Sequence, residues 1–138
     1  NILKTNDEEL LITKELLGLE GETLKELALE VIEKYKLDII LCTLGSNGAF
    51  CLTNEEVFYY DSGYQISLGD TVGSGDAFSA GFVHYYMNGY AIDDSLRFGN
   101  AAGALVATTT GATSPISKQE ILDFMIIPHN RNSVRFHQ

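Results

Sequence analysis

The stretch GDTVGSGDAF, residues 69–78, decides how this sequence is read. A short apolar run, Tyr64-Gln65-Ile66-Ser67-Leu68, leads into it, and an alternation of small and aromatic residues that reads as a helix follows. Glycine-rich loops that open helices offer free backbone N–H groups and the positive end of the helix dipole, which together favour an anion. Two familiar versions fail on spacing. A dinucleotide fingerprint requires a third glycine five residues after Gly73, where Phe78 stands, and a P-loop requires Gly-Lys-Ser/Thr, where Gly75-Asp76-Ala77 stands. What remains is a helix start with free amides at Gly73, Ser74, Gly75 and Asp76, plus one carboxylate.

Those two features suit phosphoryl transfer to an alcohol. Charge builds on the transferring group while the hydroxyl proton must leave. Amides stabilise the first, and a carboxylate accepts the second. The plainer reading makes Asp76 a first-turn helix acid, contributing about 0.3–1 kcal/mol through the dipole. The loop alone does not choose between them.

The rest of the chain narrows the setting. Its 138 residues suffice for one domain with a core, and 45% hydrophobic residues fit a soluble globular class. With 19 acids against 9 Lys and Arg, the net charge of −10 argues against nonspecific binding of nucleic acid or anionic membrane. It leaves room for a phosphorylated ligand held by backbone dipoles and Mg²⁺. No apolar run of membrane-spanning length and no basic-then-apolar leader is present, so a cytoplasmic setting is expected. A first residue of Asn reads as a processed piece or fragment. Cys42 and Cys51 read as buried, reduced thiols, facing each other if the turn between them centres on Ser46-Asn47. Arg131, Arg135 and His137 read as a solvated terminus.

Residues 7–17 predict a helix capped by Asn6, and 22–36 an amphipathic helix with Leu24, Leu27, Ala28, Val31, Ile32 and Tyr35 on one face. DIILCT (38–43) reads as a strand buried on both faces, followed by a turn and strands at 49–53, 56–61 and 64–68. Helices are predicted over 75–88, ending at Asn88-Gly89, over 93–110, stopped by Gly111, and from Ser117 onward. The class is α/β, with an incomplete β–α–β crossover.

Taken together, Asp70-Thr71-Val72-Gly73-Ser74-Gly75-Asp76-Ala77-Phe78 resembles the C-terminal signature of the ribokinase-like (PfkB) carbohydrate kinases, D-T-x-G-A/S-G-D before a small-residue helix. Three further segments follow the family's order: KTNDEE (4–9) with Asn6 and Glu9 as its N-x-x-E element, CTLGSNGAF (42–50), and FGNAAGALVATTTGATSP (98–115). The resemblance covers nearly all of residues 1–125 and implies the C-terminal half of a three-layer α/β/α fold, with 126–138 as a tail. It implies ATP and Mg²⁺, with Asp76 as the base that deprotonates a sugar hydroxyl and Gly73, Ser74, Gly75 and the Asp76 amide as anion hole. Asn6 falls near the nucleotide phosphates, and Glu9 organises Mg²⁺ through water. Thr43 and Gly45 match the nucleotide-binding turn, Asn100 the residue beside the adenine or ribose, and Gly103 lies in the small-residue face that closes over the base. Read without the family, Asn6 and Glu9 are a helix cap and its first turn, and the small face of 101–104 packs a neighbouring helix.

A K⁺ site is implied at Asp70 and the Val72 carbonyl, with carbonyls near Val106, Thr109 and Gly111, although Ser114 falls one residue out of register. Details of the opening and the loop look fructokinase-like, so fructose is the first expected acceptor. Members of the family run to about twice this length, and the half that supplies most sugar contacts is missing here. The 138-residue chain is therefore expected to be inert alone, with exposed strand edges favouring self-association, such as a homodimer. A non-catalytic nucleotide-binding or interaction module of the same fold is the alternative. For the tail IIPHNRNSVRFHQ, packing on the core, extension to a partner and disorder all stay open.

Overall fold

The computed structural model describes residues 1–66, 73–108 and 116–136. Strand β1 (Ile2–Asn6) leads through helices α1 (Asp7–Leu17) and α2 (Leu24–Tyr35) to β2 (Ile39–Thr43). A 3₁₀ turn (Gly45–Asn47) joins β2 to β3 (Gly48–Thr53), and β4 (Phe58–Tyr64) follows. Then come α3 (Ser74–Met87), α4 (Ile92–Ala107), α5 (Lys118–Ile126) and a short β5 (Arg131–Asn132). The sheet runs β1-β2-β3-β4-β5, with β1 and β2 parallel and the later pairs antiparallel. The β1–α1–α2–β2 path completes a β–α–β unit, because parallel neighbours need a crossover.

Alternation along the strands builds three layers. Ile40 and Cys42 of β2, with Phe50 and Leu52 of β3, pack on Leu10 of α1 and on Leu27, Ala28, Val31 and Ile32 of α2. Their neighbours Ile39, Leu41, Ala49 and Cys51 face the other way, onto Phe78 and Phe82 of α3 and Leu96 of α4. Burying each of these large side chains contributes about 1.5–3 kcal/mol. A third cluster, with Tyr64, Tyr85, Phe98, Ala101, Ala102 and Ile121, ties β4 to α3, α4 and α5.

Four local expectations change. Residues 2–6 form a strand that the sequence hid: an edge strand with Ile2 and Leu3 both exposed carries no periodic apolar signal. The expected strands at 56–61 and 64–68 are a single strand, Phe58–Tyr64, while Gln65 and Ile66 lie outside it and 67–68 outside the described residues. The turn centres on Ser46, so Leu41 opposes Cys51 and Cys42 opposes Phe50. That one-residue difference sends the two thiols to opposite faces of the sheet. Both are buried and free, and burial pushes each up to about 12. Finally, Arg131 is no solvated terminus: it ion-pairs with Asp61 at 3.1 Å, while Val134 and Phe136 pack against the α2 side of the core.

Candidate active site

Three helices close their N-termini with reciprocal capping boxes: Asn6 with Glu9 in α1, Thr23 with Glu26 in α2, and Ser117 with Glu120 in α5. Helix α3 starts differently. Its N-cap is Gly73, in the left-handed region at φ 87°, with no side-chain cap. A residue with a Cβ is disfavoured at that angle, so glycine sets the entry of the helix. Asp76 is exposed in the first turn.

The positive charge that the loop itself lacks comes from β1. A Cβ built on Gly75 would lie 3.1 Å from Lys4 Nζ, so glycine leaves the space that the ammonium group occupies beside the start of α3. Sequence reading counted Lys4 in the family-like opening but missed its place beside the loop. The available signal was period two on a strand, which puts Lys4 on the same face of β1 as Asn6. Asn6 in turn pairs in register with Thr43, at the C-terminal ends of the two parallel strands. Ligands bind outside those ends in open α/β sheets.

From this point a cavity of about 590 Å³ runs between the sheet and the α3–α4 pair. Thr43, Gly45 and Ser46 line it from the β2–β3 connection, Ser74, Gly75 and Phe78 from α3, and Asn100, Gly103, Ala104 and Ala107 from α4. Tyr64, Gln65 and Ile66 contribute from the end of β4, and Asn132 from β5. Six predicted site residues thus share one cavity: Thr43, Gly45, Ser74, Gly75, Asn100 and Gly103. Gly73, Asp76, Asn6 and Glu9 are not among its lining residues.

Glycines let the α4 wall approach α3. A Cβ on Gly99 would meet the Phe78 carbonyl oxygen at 2.8 Å, and one on Gly103 the Ser74 carbonyl oxygen at 3.0 Å. The small face of α4 therefore packs against α3, and its Gly103 and Ala104 also line the cavity. Asn100, buried, donates from Nδ2 to Asp61 Oδ2 and to the Ser62 carbonyl, each at 2.8 Å. Asp61 is also the ion-pair partner of Arg131, whose guanidinium donates to the Gly63 carbonyl at 3.1 Å and to the Ser62 carbonyl at 2.7 Å. Arg131 lies 3.9 Å from the centroid of the Tyr64 ring, a cation–π arrangement. Burial pushes the Tyr64 phenol up, an effect that Arg131 opposes. Asp61, Arg131 and Asn132 were all missed in the sequence, because an inward-facing acid on a strand and a polar tail have no local signature.

Asn6 and Glu9 sit at the other margin. Asn6 Oδ1 accepts from the Glu9 amide at 2.8 Å, and Glu9 Oε1 accepts from the Asn6 amide at 3.1 Å. Among the described residues, no group of three or more His, Cys, Asp or Glu could hold a metal ion. That donor set fits an ion carried in by phosphates and waters, as Mg²⁺ commonly is, with the exposed Glu9 as an outer carboxylate. The K⁺-site positions Asp70, Val72, Thr109 and Gly111 lie outside the described residues. No helix among the described residues is long and apolar enough to cross a membrane.

Solved structures share this arrangement of sheet and helices, and the fold is that of the ribokinase-like kinases. The ribokinase of Arabidopsis thaliana, solved with ribose and ATP, superposes with a TM-score of 0.76 at 28% identity, over 93% of this chain and 41% of that one. The Thermotoga maritima ribokinase does so with a TM-score of 0.77 at 24% identity, over 90% of this chain and 41% of that one. The pfkB family carbohydrate kinase profile matches residues 1–119, and the chain belongs to that family. In sequence it is 32% identical over 99 residues to the ribokinase of Haemophilus influenzae, covering 71% of this chain and 32% of that enzyme. It is 37% identical over 68 residues to the 1-phosphofructokinase of Borreliella burgdorferi, covering 49% and 22%. The matched stretch thus spans a third or less of these curated relatives.

Proposed function

We propose that residues 1–125 are the nucleotide-binding and catalytic-loop part of an ATP-dependent sugar kinase, with 126–138 as its C-terminal tail. The observation that carries this is the single cavity that joins the uncapped start of α3 to the Thr43–Gly45 turn and Asn100. In this reading the triphosphate points toward α3. The amides of Gly73, Ser74, Gly75 and Asp76 receive the transferring phosphoryl group, and Lys4 neutralises part of its charge. Asp76, exposed beyond the cavity lining, takes the proton of the acceptor hydroxyl. Asn6 borders the phosphates, and Mg²⁺ bound to them, with Glu9 outside its waters, supplies charge neutralisation. The base lies along Gly103 with Asn100 beside it. A K⁺ ion at Asp70 and the Val72 carbonyl belongs to the same proposal.

Fructose ranks first as acceptor, supported by Lys4, Asn6, Glu9 and the DTVGSGDAF loop; ribose, another ketose or a deoxy-keto acid follow. Acceptor contacts come from a part of the enzyme beyond these residues, so this chain binds nucleotide without useful turnover. We assign the protein to the cytoplasm, with self-association through the β1 edge, where Ile2 and Leu3 are exposed.

Calorimetry of ATP against the 138-residue chain, with and without Mg²⁺, tests the reading. Binding is expected; its absence in both conditions overturns the proposal. ATP-dependent sugar phosphorylation by this chain at ordinary substrate concentrations would refute the missing-acceptor argument. An unchanged rate for Asp76→Asn in the full-length enzyme would reject Asp76 as the base, and nucleotide binding without any sugar phosphorylation by that full-length protein would favour a non-catalytic module.

A further inference from the structure

The family match ends at residue 119, yet the chain returns to the cavity after it. Residues 129–136 form a strap across the sheet edge, anchored on both sides of Asn132. On one side, the Asn130 carbonyl accepts from the Gln65 amide at 2.7 Å, and Arg131 is pinned by Asp61, Ser62 and Gly63. On the other, the Val134 amide donates to the Tyr60 hydroxyl at 3.0 Å, and that hydroxyl donates to the Asn47 carbonyl at 2.6 Å. Phe136 then packs its ring on Phe50, Phe58 and Tyr60.

Between these anchors, Asn132 pairs with Gly63 and donates from Nδ2 to the Ser46 carbonyl at 3.1 Å. Both Asn132 and Ser46 line the cavity, at the same turn as Gly45. One amide hydrogen of Asn132 is thus engaged in holding the turn. The second hydrogen and the carbonyl oxygen give the donor–acceptor pair that matches adenine's N6/N7 edge and mismatches the O6/N7 edge of guanine.

We propose that the strap 129–136 is the base-reading wall of the nucleotide cavity, with Asn132 as the residue that selects adenine. The proposal rests on the nucleotide reading above. Nothing in the catalytic loop depends on it, so the two can fail separately.

The test is calorimetry of the 138-residue chain and its Asn132→Ala variant with ATP, GTP and inorganic tripolyphosphate. The unmutated chain is expected to prefer ATP over GTP. Asn132→Ala should lower ATP affinity by about 5- to 150-fold, the range of a bidentate base contact, bring ATP and GTP close together, and leave tripolyphosphate unchanged. Equal loss for ATP and tripolyphosphate, or no loss for ATP, overturns the base-reading role while the nucleotide reading stands. No binding of ATP by the unmutated chain overturns both.

A second measurement needs no folded variant. In the unmutated chain, the Asn132 side-chain amide resonance should move on adding adenosine and stay in place on adding tripolyphosphate. A stationary resonance at saturating ATP defeats the proposal.

Discussion

The two ends of the cavity, the base end and the phosphate end of the proposed function, are built by opposite means. At the base end, Asn100, Asp61, Arg131 and Tyr64 satisfy one another in a network that crosses three elements far apart in sequence. At the phosphate end, α3 begins on a glycine with no side-chain cap, and the nearest cation arrives from a different strand. A network fixed in advance makes a wall of constant shape, suited to a flat, rigid ligand. Open amides with one lysine make a site whose partner must bring the negative charge. The base end thus reads as a mould and the phosphate end as a socket that its ligand completes.

The sharpest attack on this contrast is Asp76→Asn in the full-length enzyme. If the phosphate end is catalytic, kcat should fall by about 10²- to 10⁴-fold, the usual contribution of a general base. Nucleotide affinity should hold or improve, because a negative charge leaves the neighbourhood of the phosphates. Turnover within a few fold of the unmutated enzyme would reduce Asp76 to a helix-start acid.

The base end breaks differently, through shape. A Cβ on Gly63 would lie 1.8 Å from the Ser46 carbonyl oxygen, in backbone that cannot yield like a side-chain tip. Gly63→Ala should therefore cost about 3 kcal/mol or more in chemical denaturation, at the upper end of overpacking effects. Gly45, on the same turn, has open space around its Cβ position and a positive φ, so Gly45→Ala should cost only about 1–2 kcal/mol. Equal costs would mean that the turn is not held against β4.

These contrasts also explain what could be read in advance. The phosphate end lies in one run, residues 73–76, and its anion-favouring helix start is readable from spacing, while the catalytic role proposed for Asp76 came with the family resemblance. The α2 face, the buried β2 strand and the capping residues Asn6 and Ser117 are local too, and all stood in the sequence. The base end has no such run: Asp61, Asn100 and Arg131 meet only after β4, α4 and β5 have folded together. The place of Lys4 was hidden for a related reason, since β1 is an exposed edge strand whose pairing with β2 is a matter of tertiary contact. The cysteines show how fine the limit is. The turn was predicted in the right place, but its centre differed by half a residue, enough to change which residues face each other.

Lys4→Met probes the socket at the next smaller scale. Losing one charge-assisted contact should weaken ATP binding by about 1.5–3 kcal/mol, while adenosine, without phosphates, binds as before. The ATP loss should shrink at high salt, because Lys4 is exposed and its charge is screened. An equal loss for adenosine would show that Lys4 shapes the whole cavity and would erase the distinction between its ends.

The smallest effect concerns the sheet beneath both ends. Cys42 and Cys51 are each pushed by burial from 9.0 to about 12. Below pH 9, folded and unfolded chains both keep these protons, and the thiols make no pH-dependent difference. Above pH 9 the unfolded chain releases them while the folded one holds them, so stability falls as pH rises toward 12. The slope should be about 1.4 kcal/mol per pH unit for each thiol once pH is well past 9, and less near it. Urea denaturation between pH 8 and pH 10 measures it, and toward pH 10 the buried phenols of Tyr64 and Tyr85, also raised, steepen the fall in the same direction as the unfolded chain ionises. Cys51→Ala should remove up to half of the slope whatever its effect at pH 8. Because the two thiols lie on opposite faces of the sheet, mild oxidation should form no bond between them, and mass spectrometry should find both free. An internal disulfide would return the turn to the Ser46-Asn47 centre and move Gly45, Ser46 and the whole base end with it.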